Sequence, residues 1–158
     1  RGMYPAVEAL LASGGGALLL DLDHFKRVND TFGHQVGDEV LARAARLLEA
    51  QLPPGGRVGR WGGEEFLMTL PGLDAPAAGA LAETVCRAFR TQTMVDVGVV
   101  TISAGLTLTR PGDTLPSLVA RADEHLYAAK RAGRDGWADR MAADGPGAAG
   151  PGPAFPDV

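Results

Sequence analysis

The sequence has 158 residues, 46% of them hydrophobic, which is enough for one domain with a sizeable core. A net charge of −4 argues against a general nucleic-acid surface, and a single cysteine, Cys86, excludes an intrachain disulfide and reads as a buried core thiol. No apolar stretch approaches the roughly 20 residues of a membrane span, and no secretory leader is visible, so a reducing cytoplasm is the expected setting; an opening Arg1 without Met suggests a piece of a longer chain.

Met3, Val7, Leu10 and Leu11 recur at helical spacing and predict a helix over residues 3–12, ended by Ser13-Gly14-Gly15-Gly16. Residues 17–22 are an uninterrupted apolar run, as expected of a strand covered on both faces, and the run closes on Asp21 and Asp23. A polar turn and a short helix follow over residues 23–34. Residues 35–51 form a longer helix whose Val36, Val40, Leu41, Ala44, Leu47 and Leu48 make one apolar stripe, stopped by Pro53-Pro54-Gly55-Gly56.

From Val58 to Leu70, two strand-like runs flank Gly62-Gly63, which reads as a tight hairpin turn because glycine takes positive φ without steric cost. Strand alternation places Glu64 with Phe66 on one face and Glu65 on the other. After a loop over residues 71–76 come a helix over 77–90 and a Val-, Thr- and Ile-rich strand over 95–108, with Gly98 marking a bend or turn. A helix over 115–132 follows, with Pro116 in its first turn and Gly133 just past its end. From residue 144, Gly and Pro dominate, so the expected domain covers 1–143 and a disordered tail covers 144–158. The order β-α-α-β-β-α-β-α predicts an α+β fold, a mainly antiparallel sheet flanked by helices in a ferredoxin-like arrangement.

Two acidic spots, each at the end of an apolar strand, carry the chemistry. If the first strand lies beside the hairpin, Asp21 and Glu64 converge on one divalent cation. The bland alternative is that both are simply solvated acids.

Several motifs in order resemble the GGDEF-domain diguanylate cyclases: Asp21-Leu22-Asp23-His24-Phe25-Lys26-Arg27-Val28-Asn29-Asp30, then Gly33-His34 and Gly37-Asp38, then Gly62-Gly63-Glu64-Glu65-Phe66, then Ala122-Asp123, Leu126-Tyr127, Ala129-Lys130 and Gly133-Arg134. The likeness runs from about Met3 to Arg134. It implies a palm-type nucleotide cyclase fold and the joining of two GTP into cyclic di-GMP and two pyrophosphates, each of two facing protomers holding one GTP in a transient homodimer. It further implies Mg²⁺ or Mn²⁺, two ions per site, with Asp21, Glu64 and the Leu22 carbonyl as ligands. Glu65 stays open between a second metal contact, help in proton removal and a shaping role. His24 and Phe25 fall where family backbone N–H groups hold phosphates, Lys26 fits the γ-phosphate, and Lys130 and Arg134 match further phosphate contacts. Asn29 and Asp38 match the guanine-binding pair; a carboxylate accepts from guanine N1–H and the 2-amino group together, and adenine offers neither.

The chain departs from the family pattern in places. The family's segment preceding Arg1 is missing, and a regulatory domain is expected N-terminal to this one. After Arg134 the chain reads Asp135-Gly136-Trp137 where relatives continue with Asn-Arg and an apolar strand. The inhibitory Arg-x-x-Asp of many members would fall on Pro53 and Gly56, which offer neither charge. The rivals to an active cyclase are a GTP-binding module with little turnover and a structural dimerisation domain.

Overall fold

Layering follows from β1, whose side chains are apolar on both faces. The computed structural model describes residues 2–94 and 96–141; the expected disordered tail, 144–158, lies outside them. The elements run α1 (Tyr4–Ser13), β1 (Gly15–Leu22), α2 (Phe25–Phe32), α3 (His34–Glu49), β2 (Val58–Arg60), β3 (Glu65–Pro71), α4 (Ala75–Thr91), β4 (Ile102–Leu108), α5 (Leu115–Arg131) and β5 (Gly136–Ala138). The sheet order is β2-β3-β1-β4-β5. Every pairing is antiparallel except β4 with β5, so the sheet is mixed within an α+β fold.

Along β1, Ala17 and Leu19 pack with Val7 and Leu10 of α1 and with Leu118, Ala122 and Leu126 of α5. The alternate residues Leu18, Leu20 and Leu22 pack with Val40, Ala44 and Leu48 of α3 and Val85 and Phe89 of α4. Each such buried side chain contributes about 1.5–3 kcal/mol, so a one-residue slip of β1, which would exchange its two faces, is strongly disfavoured. The result is three layers with the sheet in the middle. No helix among the described residues is long and apolar enough to cross a membrane.

The boundaries differ from the sequence expectation where local contacts override pattern. Helix α4 starts at Ala75 because the Asp74 side chain accepts from the Ala77 N–H at 3.0 Å, and Pro76 sits in the first turn. The strand expected over 95–108 is β4 alone; Met94 and Gly98 close a turn ahead of it, with Gly98 at φ +96°. The hairpin between β2 and β3 is wider than a two-residue turn, because the Trp61 and Gly62 N–H groups both reach the Glu65 carbonyl. Neither Gly62 nor Gly63 has positive φ, so the left-handed backbone expected of the pair is absent; a Cβ on Gly62 would lie 3.2 Å from Glu65 Oε1, while one on Gly63 would meet nothing within 4 Å. Strand β5 forms despite Asp135-Gly136-Trp137, since Trp137 packs on α4, where Gly79 leaves space for its ring.

Helix α5 lies unusually close to the sheet. A Cβ at Gly105 of β4 would stand 2.2 Å from the Ala122 carbonyl oxygen and 2.3 Å from the Leu126 nitrogen, both backbone atoms that cannot swing away. Gly105→Ala should therefore lift α5 and cost about 3 kcal/mol. Urea denaturation checks this as a fall in midpoint at unchanged slope.

Candidate active site

Strand β1 ends where β3, β4 and β5 begin, and pairing lines up Glu65, Asp21, Ser103 and Gly136 in one row at that edge. Residues directly opposite on paired strands share a face. Asp21 and Glu65 thus stand side by side, on the face covered by α5. Asp21 is 5% exposed. The Lys130 ammonium donates to its Oδ2 at 2.5 Å, while Oδ1 is buried with no hydrogen-bond partner. A buried polar atom without a partner is costly, and an anionic one more so.

Glu64 lies in the bend before β3, outside the ladder, and escapes strict alternation. Its carbonyl accepts from the Leu22 N–H at 3.3 Å, which ties the bend to the end of β1. Its carboxyl comes to Asp21 rather than following Phe66 into the other layer. Burial first, then the charge of the adjacent Asp21 carboxylate, push Glu64 above the ordinary range, against a smaller pull from Lys130. Burial, then Asp21 and Asp123, do the same to Glu65. Arg60 braces the bend by donating to the Gly62 and Gly63 carbonyls while stacking over the Phe66 ring. Among the described residues, no group of three or more His, Cys, Asp or Glu side chains is gathered to hold an ion unaided.

Beyond β1 the chain turns at His24, which takes φ +57° and starts α2 with no side-chain cap. The first N–H groups of that helix are thus left without a side-chain acceptor, a setting suited to anions. Phe25 is buried in the core, as its apolar ring requires. Lys26 is exposed and pairs with Asp30 one turn on at 2.9 Å. Asn29 lies over Gly37: a Cβ there would fall 1.9 Å from Asn29 Oδ1. Gly37 thus lets the Asn29 side chain enter the crevice between α2 and α3, next to the exposed Asp38 in the second turn of α3. Arg134 is half-buried in the turn after α5.

Sequence reasoning singled out Asp21 and the hairpin but gave no role to Asp23. Its carboxylate accepts from Ser103 Oγ at 2.6 Å, Thr101 Oγ1 at 2.7 Å and the Asp135 N–H at 3.0 Å. Asp23 is thus a satisfied structural acid that staples the start of β4 and the turn after α5 to the end of β1. Only its position two residues beyond Asp21 hinted at this. The exposed Asp123, which adds negative charge beside Glu65, was also missed, although it stands in the last-helix motif. A cleft of about 660 Å³ lies elsewhere, between α1 and β2; Arg60 lines it, but none of the carboxylates does.

A family model described as "Diguanylate cyclase, GGDEF domain" matches residues 9–136. The diguanylate cyclase VdcA of Vibrio cholerae is 39% identical over 124 residues, covering 75% of this chain and 37% of that protein. Among solved structures, the diguanylate cyclase SiaD of Pseudomonas aeruginosa, in complex with its activator SiaC, is 41% identical with a TM-score of 0.80, over 85% of this chain and 55% of that one. The active GGEEF domain of a diguanylate cyclase from Vibrio cholerae is 32% identical with a TM-score of 0.73, over 85% of this chain and 87% of that one. The chain spans 19–37% of the length of the curated relatives it matches.

The raised carboxyls fix a stability prediction with a definite sign. A folded-state value above that of the unfolded chain means that the charged form costs stability, and that this cost fades as pH falls through the raised value. Glu64→Gln and Glu65→Gln remove a charge from the crowded row. Both should melt higher than the parent protein in chelator at neutral pH, with the gap shrinking as pH falls toward the ordinary glutamate value of 4.5 and closing below it. Thermal melts across this pH range make the comparison; variants that melt lower at neutral pH would show the carboxylates to be stabilising.

Proposed function

This chain belongs to the GGDEF-domain family of diguanylate cyclases, and on that footing we propose that it condenses two GTP into cyclic di-GMP and two pyrophosphates, each protomer of a transient homodimer bringing one nucleotide. The observation that carries the reading is the carboxylate cluster: buried Asp21, with one oxygen unpartnered, beside the half-buried Glu64 and Glu65, with Lys130 as the cation on Asp21. Carboxylates pressed together in this way, beside an uncapped helix start, suit a site that receives divalent cations and phosphates.

Hard oxygen donors fit Mg²⁺ or Mn²⁺. Asp21 and Glu64 would hold such ions, two per site, together with the Leu22 carbonyl, the other ligands coming from phosphates and water. When bound, they supply Lewis-acid polarisation of the α-phosphate and favour the ionised 3′-hydroxyl. Glu65, opposite Asp21, adds negative charge for the second cation or accepts the hydroxyl proton. Lys130 leaves Asp21 for a phosphate, Lys26 leaves Asp30 for the γ-phosphate, and Arg134 adds a third positive contact. The N–H groups at His24 and Phe25 take phosphate oxygens, and Asn29 with Asp38 reads the guanine edge. The substrate sets the domain in the cytoplasm, with a regulatory domain N-terminal to it.

Incubation with GTP and Mg²⁺, followed by chromatography, tests this directly. Product should form, its specific rate should rise with protein concentration in the dilute range, and Asp21→Asn and Glu64→Gln should bring it to the level of the blank. Product from either variant at the parental rate would sink the assignment.

Feedback inhibition at the family's Arg-x-x-Asp position is not expected. Gly56 is buried, and a Cβ there would lie 2.8 Å from the Thr69 carbonyl oxygen and 2.8 Å from Pro53 Cδ. The loop therefore has no room for a carboxylate. Cyclic di-GMP should inhibit only in competition with GTP, and the double variant P53R/G56D should gain no non-competitive inhibition. Initial rates at several GTP levels distinguish the two patterns.

A further inference from the structure

The turn after α5 is held by an acid and a base that stand apart from the carboxylate row. Gly133, Arg134 and Asp135 take φ of +121°, +63° and +48°, three left-handed residues in succession, two of them carrying side chains. Such backbone persists only where its surroundings over-determine it. Two sets of contacts do so. The Asp135 N–H donates to Asp23, next to the His24 turn. The Asp135 carboxylate accepts from Arg90 Nε at 3.1 and 3.2 Å, and its carbonyl accepts from Arg90 Nη2 at 3.3 Å. One guanidinium thus grips both the side chain and the main chain of a single residue, which a lysine ammonium has no fork to reproduce.

As a contribution to stability this pair is minor, since its side chains are 35% and 25% exposed. Its effect is geometric. The turn it fixes carries Arg134 and follows the last turn of α5, in which Lys130 stands. Through Asp23 the turn is also joined to the uncapped start of α2. We infer that Arg90, in the last turn of α4, is a positioning residue for the triphosphate: by gripping Asp135 it sets Arg134 and Lys130 against the phosphates without touching the nucleotide itself. The inference rests on the reading of GTP as substrate.

Calorimetry with a non-hydrolysable GTP analogue and with GMP, each with Mg²⁺, provides the test, on the parent chain and on Arg90→Ala, Arg90→Lys and Asp135→Asn. Arg90→Ala should weaken the triphosphate at least about tenfold while GMP changes by no more than about twofold, because displaced phosphate contacts cost affinity only where phosphates are present. Arg90→Lys should show the same selective loss. Asp135→Asn keeps the backbone donor and one side-chain acceptor, and should lose less than either. Equal loss of both ligands, or parental affinity for the triphosphate in a variant that melts cooperatively, overturns the inference. If Arg90→Ala does not fold, Arg90→Lys decides by the same criterion. Should the parent chain bind no GTP analogue, the substrate reading fails, and this inference with it; if the parent binds and the Arg90 variants bind alike, the inference alone fails.

Discussion

Crowding of like charge at the end of β1 is the constraint around which the other parts are arranged. At an effective dielectric of about 20, two unit charges about 4 Å apart interact by about 4 kcal/mol. Asp21 faces two other carboxylates with one of its oxygens unpartnered, and the Lys130 ammonium supplies the compensation. That ammonium reaches the row because α5 lies almost on the β4 backbone, and it lies there because Gly105 has no side chain. The apolar run of β1 anchors the strand on both faces, so Asp21 cannot retreat to solvent by shifting register. Close seating and firm anchoring hold a repulsive arrangement in place.

Acids elsewhere in the fold show what a structural carboxylate looks like by contrast. Asp113 is gripped by both terminal nitrogens of Arg121, at 2.7 and 3.1 Å, and accepts from the Arg110 N–H and the Ser117 hydroxyl. These bonds hold it well below the ordinary carboxylate range. Asp23 likewise takes three donors. Donors close around these two, whereas burial and neighbouring acids push Glu64 and Glu65 above the ordinary carboxylate range. Satisfaction of the oxygens, more than burial or mere presence in a motif, marks Asp113 and Asp23 as acids that hold the fold.

The sequence made the row's members legible because each stands beside an unmistakable local sign: Asp21 at the end of an apolar run, Glu64 and Glu65 after paired glycines. Helices with clear apolar stripes, α3 and α5, were readable for the same reason. What stayed hidden depended on partners far along the chain. Asp23 meets Thr101 and Ser103 at separations of 78 and 80 residues and Asp135 at 112, so no local pattern could show that it is a staple. Strand β5 is three residues long and owes its place to Trp137 against Gly79, a fit between remote segments. The hairpin glycines were found, but the positive φ expected of them is absent: their backbone is ordinary, and Gly63 borders open space.

Both outermost strands of the sheet, β2 and β5, are only three residues long. Little main chain is therefore displayed along either rim for another polypeptide to pair with, and the β2 side ends in the charged Arg60. Rims this short discourage the open-ended ribbon growth that an extended flat border invites. Encounters between copies are left to side-chain surfaces, which separate and re-form readily. Borders this short are poor templates for permanent edge-to-edge pairing, whatever surface a partner uses.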